Sequence, residues 1–210
     1  MLELQHIEKS YGGRTILSIP DFGLDTGIYW LKGSNGAGKT TLLRMIAGLM
    51  PFKGDILLQG HSLRREPLIY RQQVSWADAE PLYPEFIKGS ELVAFYAEVR
   101  KAEARQVDAL TELFAIRSWL PAPVGTYSSG MVKKLSLVLA FIGRPSLIAL
   151  DEPLVTLDAD SVPILYDLVA KTYREQQTGF LISSHQELSA SALPWEKTLL
   201  VKDQSLQIIV

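Results

Sequence analysis

"GSNGAGKTT", residues 33–41, sits between an apolar run, "IYWLK" (28–32), and a segment in which Leu42, Leu43, Ile46 and Ala47 recur at helical spacing before Gly48. Gly33-Ser34-Asn35-Gly36-Ala37-Gly38-Lys39-Thr40 fits the pattern G-x-x-x-x-G-K-[ST] throughout. Such a loop, opening from a strand into a helix, leaves backbone N–H groups bare for phosphate oxygens, and the helix N-terminus adds its positive dipole end. Lys39 is then the cation that bridges the β- and γ-phosphates of a nucleoside triphosphate. Thr40 is the hydroxyl ligand for Mg²⁺, with Thr41 beside it in the first helical turn.

Working outward, strand-like runs alternate with helical stretches. The segment to about Ile28 reads as short strands with turns at Tyr11-Gly12-Gly13 and Asp25-Thr26-Gly27. "GDILLQG" reads as another strand. From Pro84 to Gly143 the pattern is helical, notably "SELVAFYAEVRKAEARQVDALTELFAI". The strands "SLIAL" and "GFLIS" then flank the helical "SVPILYDLVAKTYREQQ", and "TLLVKDQSLQIIV" reads as a terminal hairpin. The expected fold class is α/β: a phosphate-loop core with a mainly parallel sheet, an N-terminal antiparallel β subdomain and an inserted helical subdomain. Residues 1–83 and 146–210 are assigned to the core with its β subdomain, and 84–145 to the helical insert.

"SLIALDEP" is a buried-strand run that ends in Asp151 and Glu152. Ligands in open α/β sheets bind beyond the carboxyl ends of the strands. This spacing suits Asp151 for Mg²⁺ and Glu152 for general base to an attacking water. Upstream lies "TYSSGMVKKLSLVLAFIGRP", in which Met131, Leu135, Val138, Leu139 and Ile142 share a helical face. Ser128 or Ser129 is a natural N-cap, and Ser128-Ser129-Gly130 forms a second anion-binding helix end.

Composition narrows the rest. The chain has 210 residues, 47% of them apolar, no cysteine and a net charge of −2. Disulfides and thiolate metal sites are excluded, and a broad nucleic-acid surface is not expected. The N-terminus lacks a secretory pattern, and the nine-residue "LSLVLAFIG" is among the longest apolar runs, against roughly 20 for a membrane span. His6 and His61 are given no role.

The order of these elements resembles the ATPase subunit of ABC transporters, over essentially the whole chain. The resemblance implies further roles. Tyr11 in "KSYGG" would stack on adenine, and Leu157-Asp158 in "VTLDAD" would form the loop after the acidic strand end. His185 in "ISSHQ" would contact the γ-phosphate. It also implies ATP with Mg²⁺, and a head-to-tail pairing with a second ATPase subunit, identical or related. There the Ser128 hydroxyl and the Gly130 N–H would face ATP bound to the partner. A separate transmembrane permease would dock on the helical insert, which would put the chain on the cytoplasmic face of the inner membrane.

Two departures from the family pattern stand out. The signature Leu-Ser-Gly-Gly is here Tyr127-Ser128-Ser129-Gly130. The glutamine expected after the strand in "QVSWADAEPLYPEF" falls on Ala79 or Glu80, and Glu80 or Asp78 is the candidate replacement. A 210-residue chain leaves little room for a C-terminal regulatory domain, and its compact form looks like small bacterial exporter ATPases, including haem-exporter types. The competing readings are a degenerate or regulatory nucleotide-binding subunit with little turnover, and a non-transport ABC ATPase.

Overall fold

The computed structural model describes residues 1–185, 193 and 195–209. Strands β1 (Leu2–Tyr11) and β2 (Arg14–Leu24) form a hairpin over the two-residue turn Gly12-Gly13, pairing from Leu2 opposite Leu24 to Tyr11 opposite Arg14 with a one-residue register shift between Lys9 and Ser10. They are long strands where the sequence suggested short ones. After the turn at Asp25-Thr26-Gly27 comes β3 (Ile28–Lys32), and the glycine loop leads from it into α1 (Lys39–Ile46). Strand β4 (Lys53–Leu58) and the brief β5 (His61–Ser62) pair antiparallel beside β1, completing a four-stranded sheet in the order β2-β1-β4-β5.

Helix α2 (Pro67–Gln73) precedes β6 (Val74–Ala77). The helical insert contributes α3 (Gly89–Val99), α4 (Ala104–Leu113) and α5 (Ser129–Phe141). The core resumes with β7 (Leu147–Leu150), α6 (Ser161–Gln176) and β8 (Gly179–Ser183), then the hairpin β9 (Lys197–Lys202) and β10 (Ser205–Ile209). Val210, the last residue of the expected hairpin, lies outside the described residues. The second sheet runs β10-β9-β3-β8-β7-β6, parallel except for β10.

Strands β7 and β8 are buried along their whole length, as unbroken apolar runs covered on both faces should be. Side-chain alternation along β3 divides the interior in two. Ile28 and Trp30 join the cluster formed with α5, α6 and the insert, around Leu137, Val138 and Val169. Tyr29 and Leu31 point the other way, into a cluster with α1 and the antiparallel sheet, around Leu43, Met45 and Ile56. The central sheet is thus clamped between helices on one face and α1 plus a sheet on the other, which fixes its carboxyl edge.

Three details differ from the sequence expectation. The helical run after residue 89 is broken: Lys101 takes φ 50° between α3 and α4. Helix α2 had no periodicity to reveal it, having only seven residues; Pro67 starts it and buried Tyr70 anchors it through an O–H donated to Ile46 O at 2.7 Å. Ile142 lies just past α5, with extended backbone.

Candidate functional site

The glycine loop bends back against β9. A Cβ added to Gly33 would stand 2.6 Å from Val201 O, so a side chain there would push the loop off the sheet. Gly38 precedes α1 with φ 108°, in the left-handed region that favours glycine, and its carbonyl accepts the first helical bond from Leu42 N–H at 2.8 Å. No side chain caps α1 and no acidic residue stands in its first turn. The first N–H groups of this helix are therefore free for an anion.

Lys39 is 6% exposed. Its ammonium donates to Gly33 O at 2.8 Å and Ser34 O at 3.3 Å, and lies 3.4 Å from His185 Nε2. Burial lowers its pKa, and the Glu152 and Asp151 carboxylates oppose that shift. Thr40 Oγ1 donates to Asp151 Oδ2 at 2.7 Å, across 111 residues of sequence. Ser183, at the end of β8, donates to Asp151 Oδ1 at 2.5 Å and accepts the Glu152 N–H at 3.0 Å. Its signal in the sequence is a lone polar residue closing the apolar strand "GFLIS"; sequence reasoning passed over it.

Glu152 carries φ 43°, a strained value for a residue with a side chain. Its Oε2 accepts the His185 backbone N–H at 3.1 Å. Oε1 lies 3.3 Å from His185 Nε2, but without hydrogen-bond alignment. The atom is buried and has no hydrogen-bond donor among the described residues, which marks an acceptor waiting for a ligand proton.

Tyr11, Asn35, Gly36, Gly38, Lys39, Thr40, Thr41, Glu152 and His185 line one cleft of about 450 Å³, together with Ile16. That volume falls within the range of small-molecule sites. Tyr11 forms one end, half exposed, with its hydroxyl on Met50 Sδ at 2.9 Å and Lys9 Nζ 4.6 Å from its ring centre. Gly33, Ser34 and Ala37 shape the loop without lining the cleft: Ala37 N–H donates to Ser34 O at 3.1 Å.

Ser128, Ser129, Gly130 and Asp158 do not line the cleft. Ser128 caps α5, its Oγ accepting Met131 N–H at 3.3 Å, and Ser129 begins the helix. A Cβ on Gly130 would come 3.0 Å from Thr156 O, so this turn packs on the loop after Glu152. Tyr127 packs edge-on against Trp119 and donates its hydroxyl to Trp119 O at 2.9 Å. Asp158 pairs with Lys134 Nζ at 2.7 Å and accepts Ser161 N–H and O–H. The Lys134 bond, followed by the Ser161 hydroxyl, brings its pKa down to about 2.

The carboxylate of Asp78 is taken by Arg44 at 2.8 Å and by Glu80 N–H at 3.3 Å. Neither Asp78 nor Glu80 lines the cleft. Among the described residues no group of three or more His, Cys, Asp or Glu side chains surrounds a metal position. Mg²⁺ suits such a site when phosphate oxygens complete its shell beside one or two protein ligands, and the oxygens that could serve are Thr40 Oγ1 and Asp151 Oδ2, 2.7 Å apart.

The ABC transporter profile matches residues 22–155. A relative in Bacillus subtilis (strain 168), described as an uncharacterized ABC transporter ATP-binding protein, YhcH, is 32% identical over 188 residues, covering 88% of this chain and 62% of the relative. The chain thus spans under two thirds of that relative's length. The cytochrome c biogenesis ATP-binding export protein CcmA of Legionella pneumophila (strain Lens) is 30% identical over 199 residues, 94% of this chain and 98% of that protein. A solved structure described as the ATP binding subunit of an ABC transporter superposes with a TM-score of 0.88 at 24% identity, over 99% of this chain and 90% of that one, and shares the fold. The chain belongs to the ABC transporter family, among its ATP-binding subunits.

Proposed function

We propose that the chain hydrolyses ATP as one half of a dimer and drives transport through separate membrane subunits. The observation that carries this reading is Glu152 Oε1, buried without a hydrogen-bond donor among the described residues, within ion-pair distance of His185 and on a residue that shares one cleft with Lys39. A buried carboxylate oxygen with no donor is where a nucleophilic water would bind and lose its proton. Lys39 and the N–H groups at the start of α1 hold the triphosphate, and Tyr11 carries the adenine. Thr40 and Asp151 hold Mg²⁺, which when bound offsets phosphate charge. His185, 3.4 Å from Lys39 Nζ, orients the terminal phosphate.

Ser128, Ser129 and Gly130 stand at a second helix N-terminus away from the cleft, which supports their use on a nucleotide held by another subunit, together with Asp158, which is tied to the same helix through Lys134. An apolar strip on the insert side supports docking of a permease segment. Leu68, Phe95 and Val99 line a groove of about 280 Å³ between α2 and α3, and Leu82 and Phe86, in the segment that leads to α3, are largely exposed. None of the described helices is long and apolar enough to cross a membrane. Attachment to the inner membrane from the cytoplasmic side is then through the permease. The export protein CcmA among the relatives supports an exporter.

The test is release of phosphate from Mg²⁺-ATP by the purified chain, together with co-purification from solubilised membranes. Expected are hydrolysis and a polytopic membrane partner. A protein that releases no phosphate and stays wholly in the soluble fraction overturns the reading.

A further inference from the structure

Lys133 is fully buried on α5, one turn beyond the Ser128–Gly130 end. Its ammonium has three protons, and the structure gives it three acceptors: Asp78 O at 2.9 Å, Ala79 O at 2.7 Å and Glu152 O at 3.1 Å. All three are backbone carbonyls. They come from two segments 73 positions apart in the chain, the turn after β6 and the strained residue after β7. Among the described residues no carboxylate pairs directly with it, although Asp151, Asp78, Glu152 and Glu80 are close enough to act on it electrostatically.

A buried lysine is costly, since desolvation disfavours its charge. An apolar side chain of the same length would avoid that cost but take this donor from the Asp78 and Ala79 carbonyls and leave the Glu152 carbonyl with the Val155 N–H at 3.2 Å. What the ammonium accomplishes is visible at Glu152. This residue holds φ 43°, which persists only where the surroundings impose it. Its N–H is held by Ser183 Oγ from β8 at 3.0 Å, and its carbonyl by Lys133 Nζ from α5. Two side chains from different elements thus hold the peptide groups on either side of the Glu152 Cα.

We propose that Lys133 is a positioning residue for ATP hydrolysis: it fixes the Glu152 backbone, and with it the carboxylate, to the turn at Asp78–Ala79 and to the helix that begins at Ser128. The inference rests on the reading of Glu152 as general base. At the turn where the family glutamine is expected, on Ala79 or Glu80, the connection to the base runs through the Ala79 carbonyl and Lys133.

The test uses the full chain and two routes. Lys133→Met keeps the apolar stem and removes the donors. Its kcat should fall by about 100-fold, the scale of a misplaced catalytic group, while the Kd for a fluorescent ATP analogue stays within about threefold. Because the chain has no cysteine of its own, Lys133→Cys can be alkylated with bromoethylamine in urea and refolded beside wild type treated alike. This returns an ammonium at nearly the original length, and kcat should recover to within about threefold of the wild-type control. A Lys133→Met kcat within twofold of wild type overturns the proposal, as does an alkylated Lys133→Cys that refolds without recovering activity. If wild type itself does not hydrolyse ATP, the reading of Glu152 fails separately. Amide exchange over residues 77–83 and 150–157 then judges the tether: exchange about tenfold faster in Lys133→Met supports it, and unchanged exchange overturns it.

Discussion

Replacing Glu152 with Gln tests the chemistry with little disturbance to the fold. The side chain is 12% exposed, and among the described residues its one aligned hydrogen bond is to the His185 backbone N–H at 3.1 Å. A glutamine carbonyl accepts that bond equally well, and the peptide stays clamped by Ser183 and Lys133. What disappears is the basic oxygen at the Oε1 position. Loss of a general base costs about 10²- to 10⁴-fold in rate, or about 3–5 kcal/mol of barrier at ~1.4 kcal/mol per tenfold. The phosphate contacts of Lys39 and α1 are untouched, so affinity for a fluorescent ATP analogue should change less than about threefold. With ATP retained, light scattering should give twice the 23.4 kDa of the chain in Mg²⁺-ATP and the single mass without it. A Glu152→Gln kcat within about threefold of wild type would refute the assignment of the base. Full loss of nucleotide affinity would refute the claim that Glu152 acts on water and not on binding.

Lys39→Met should raise the Kd for ATP by about 10- to 150-fold, the equivalent of a charged hydrogen bond worth about 1.5–3 kcal/mol; titration with a fluorescent analogue measures it, and an unchanged Kd would remove Lys39 from the phosphates. Ser128→Ala removes the α5 cap, which should lower urea stability by about 1 kcal/mol, and in the Glu152→Gln background it should abolish the ATP-dependent dimer; persistence of the dimer mass would count against the trans contact. Burial pushes the Lys133 ammonium down to about 8, against ~10.4 in the unfolded chain. The unfolded chain therefore holds more proton between those values, and wild type should gain stability over Lys133→Met as pH rises from 8 to about 10.5, with a flat difference below 8. Urea midpoints of both proteins across pH 7–10.5 measure this, and a difference that shrinks with pH would show the sign to be wrong.

The parts of the fold that were legible are those in which a local pattern and the tertiary environment agree. Strands β7 and β8 are covered on both faces, so their unbroken apolar runs identify them, and the glycine loop between β3 and α1 follows from steric need at Gly33 and Gly38. The end of α3 was not legible because the usual glycine is absent. Lys101 takes φ 50°, and Ala102 N–H closes back on Ala97 O at 2.8 Å; Ala115 and Ile116 end α4 in the same way, with Ile116 fully buried. Those are glycine-type helix ends made with other residues and held by the packing that follows them. Lys133 was hidden for a related reason. A lysine in a helix reads as a solvent-facing residue, and its three acceptors are backbone atoms that no residue type announces.

The cleft contains an aromatic, the glycine loop, a buried carboxylate and a histidine, yet the second helix end of the sequence pattern is not part of its wall. Tyr11 and His185 are about half exposed, so the nucleotide side of the cleft faces solvent. Hydrolysis in so open a site would lack the exclusion of water that strengthens every electrostatic contact. Closure by a second copy supplies both missing parts at once, a cover and the Ser128–Gly130 end. The helix that would bring that end carries Lys133, which grips the peptide of Glu152 in its own subunit. Five residues of helix therefore separate the end that would meet a partner's nucleotide from the lysine that holds the Glu152 backbone of its own subunit.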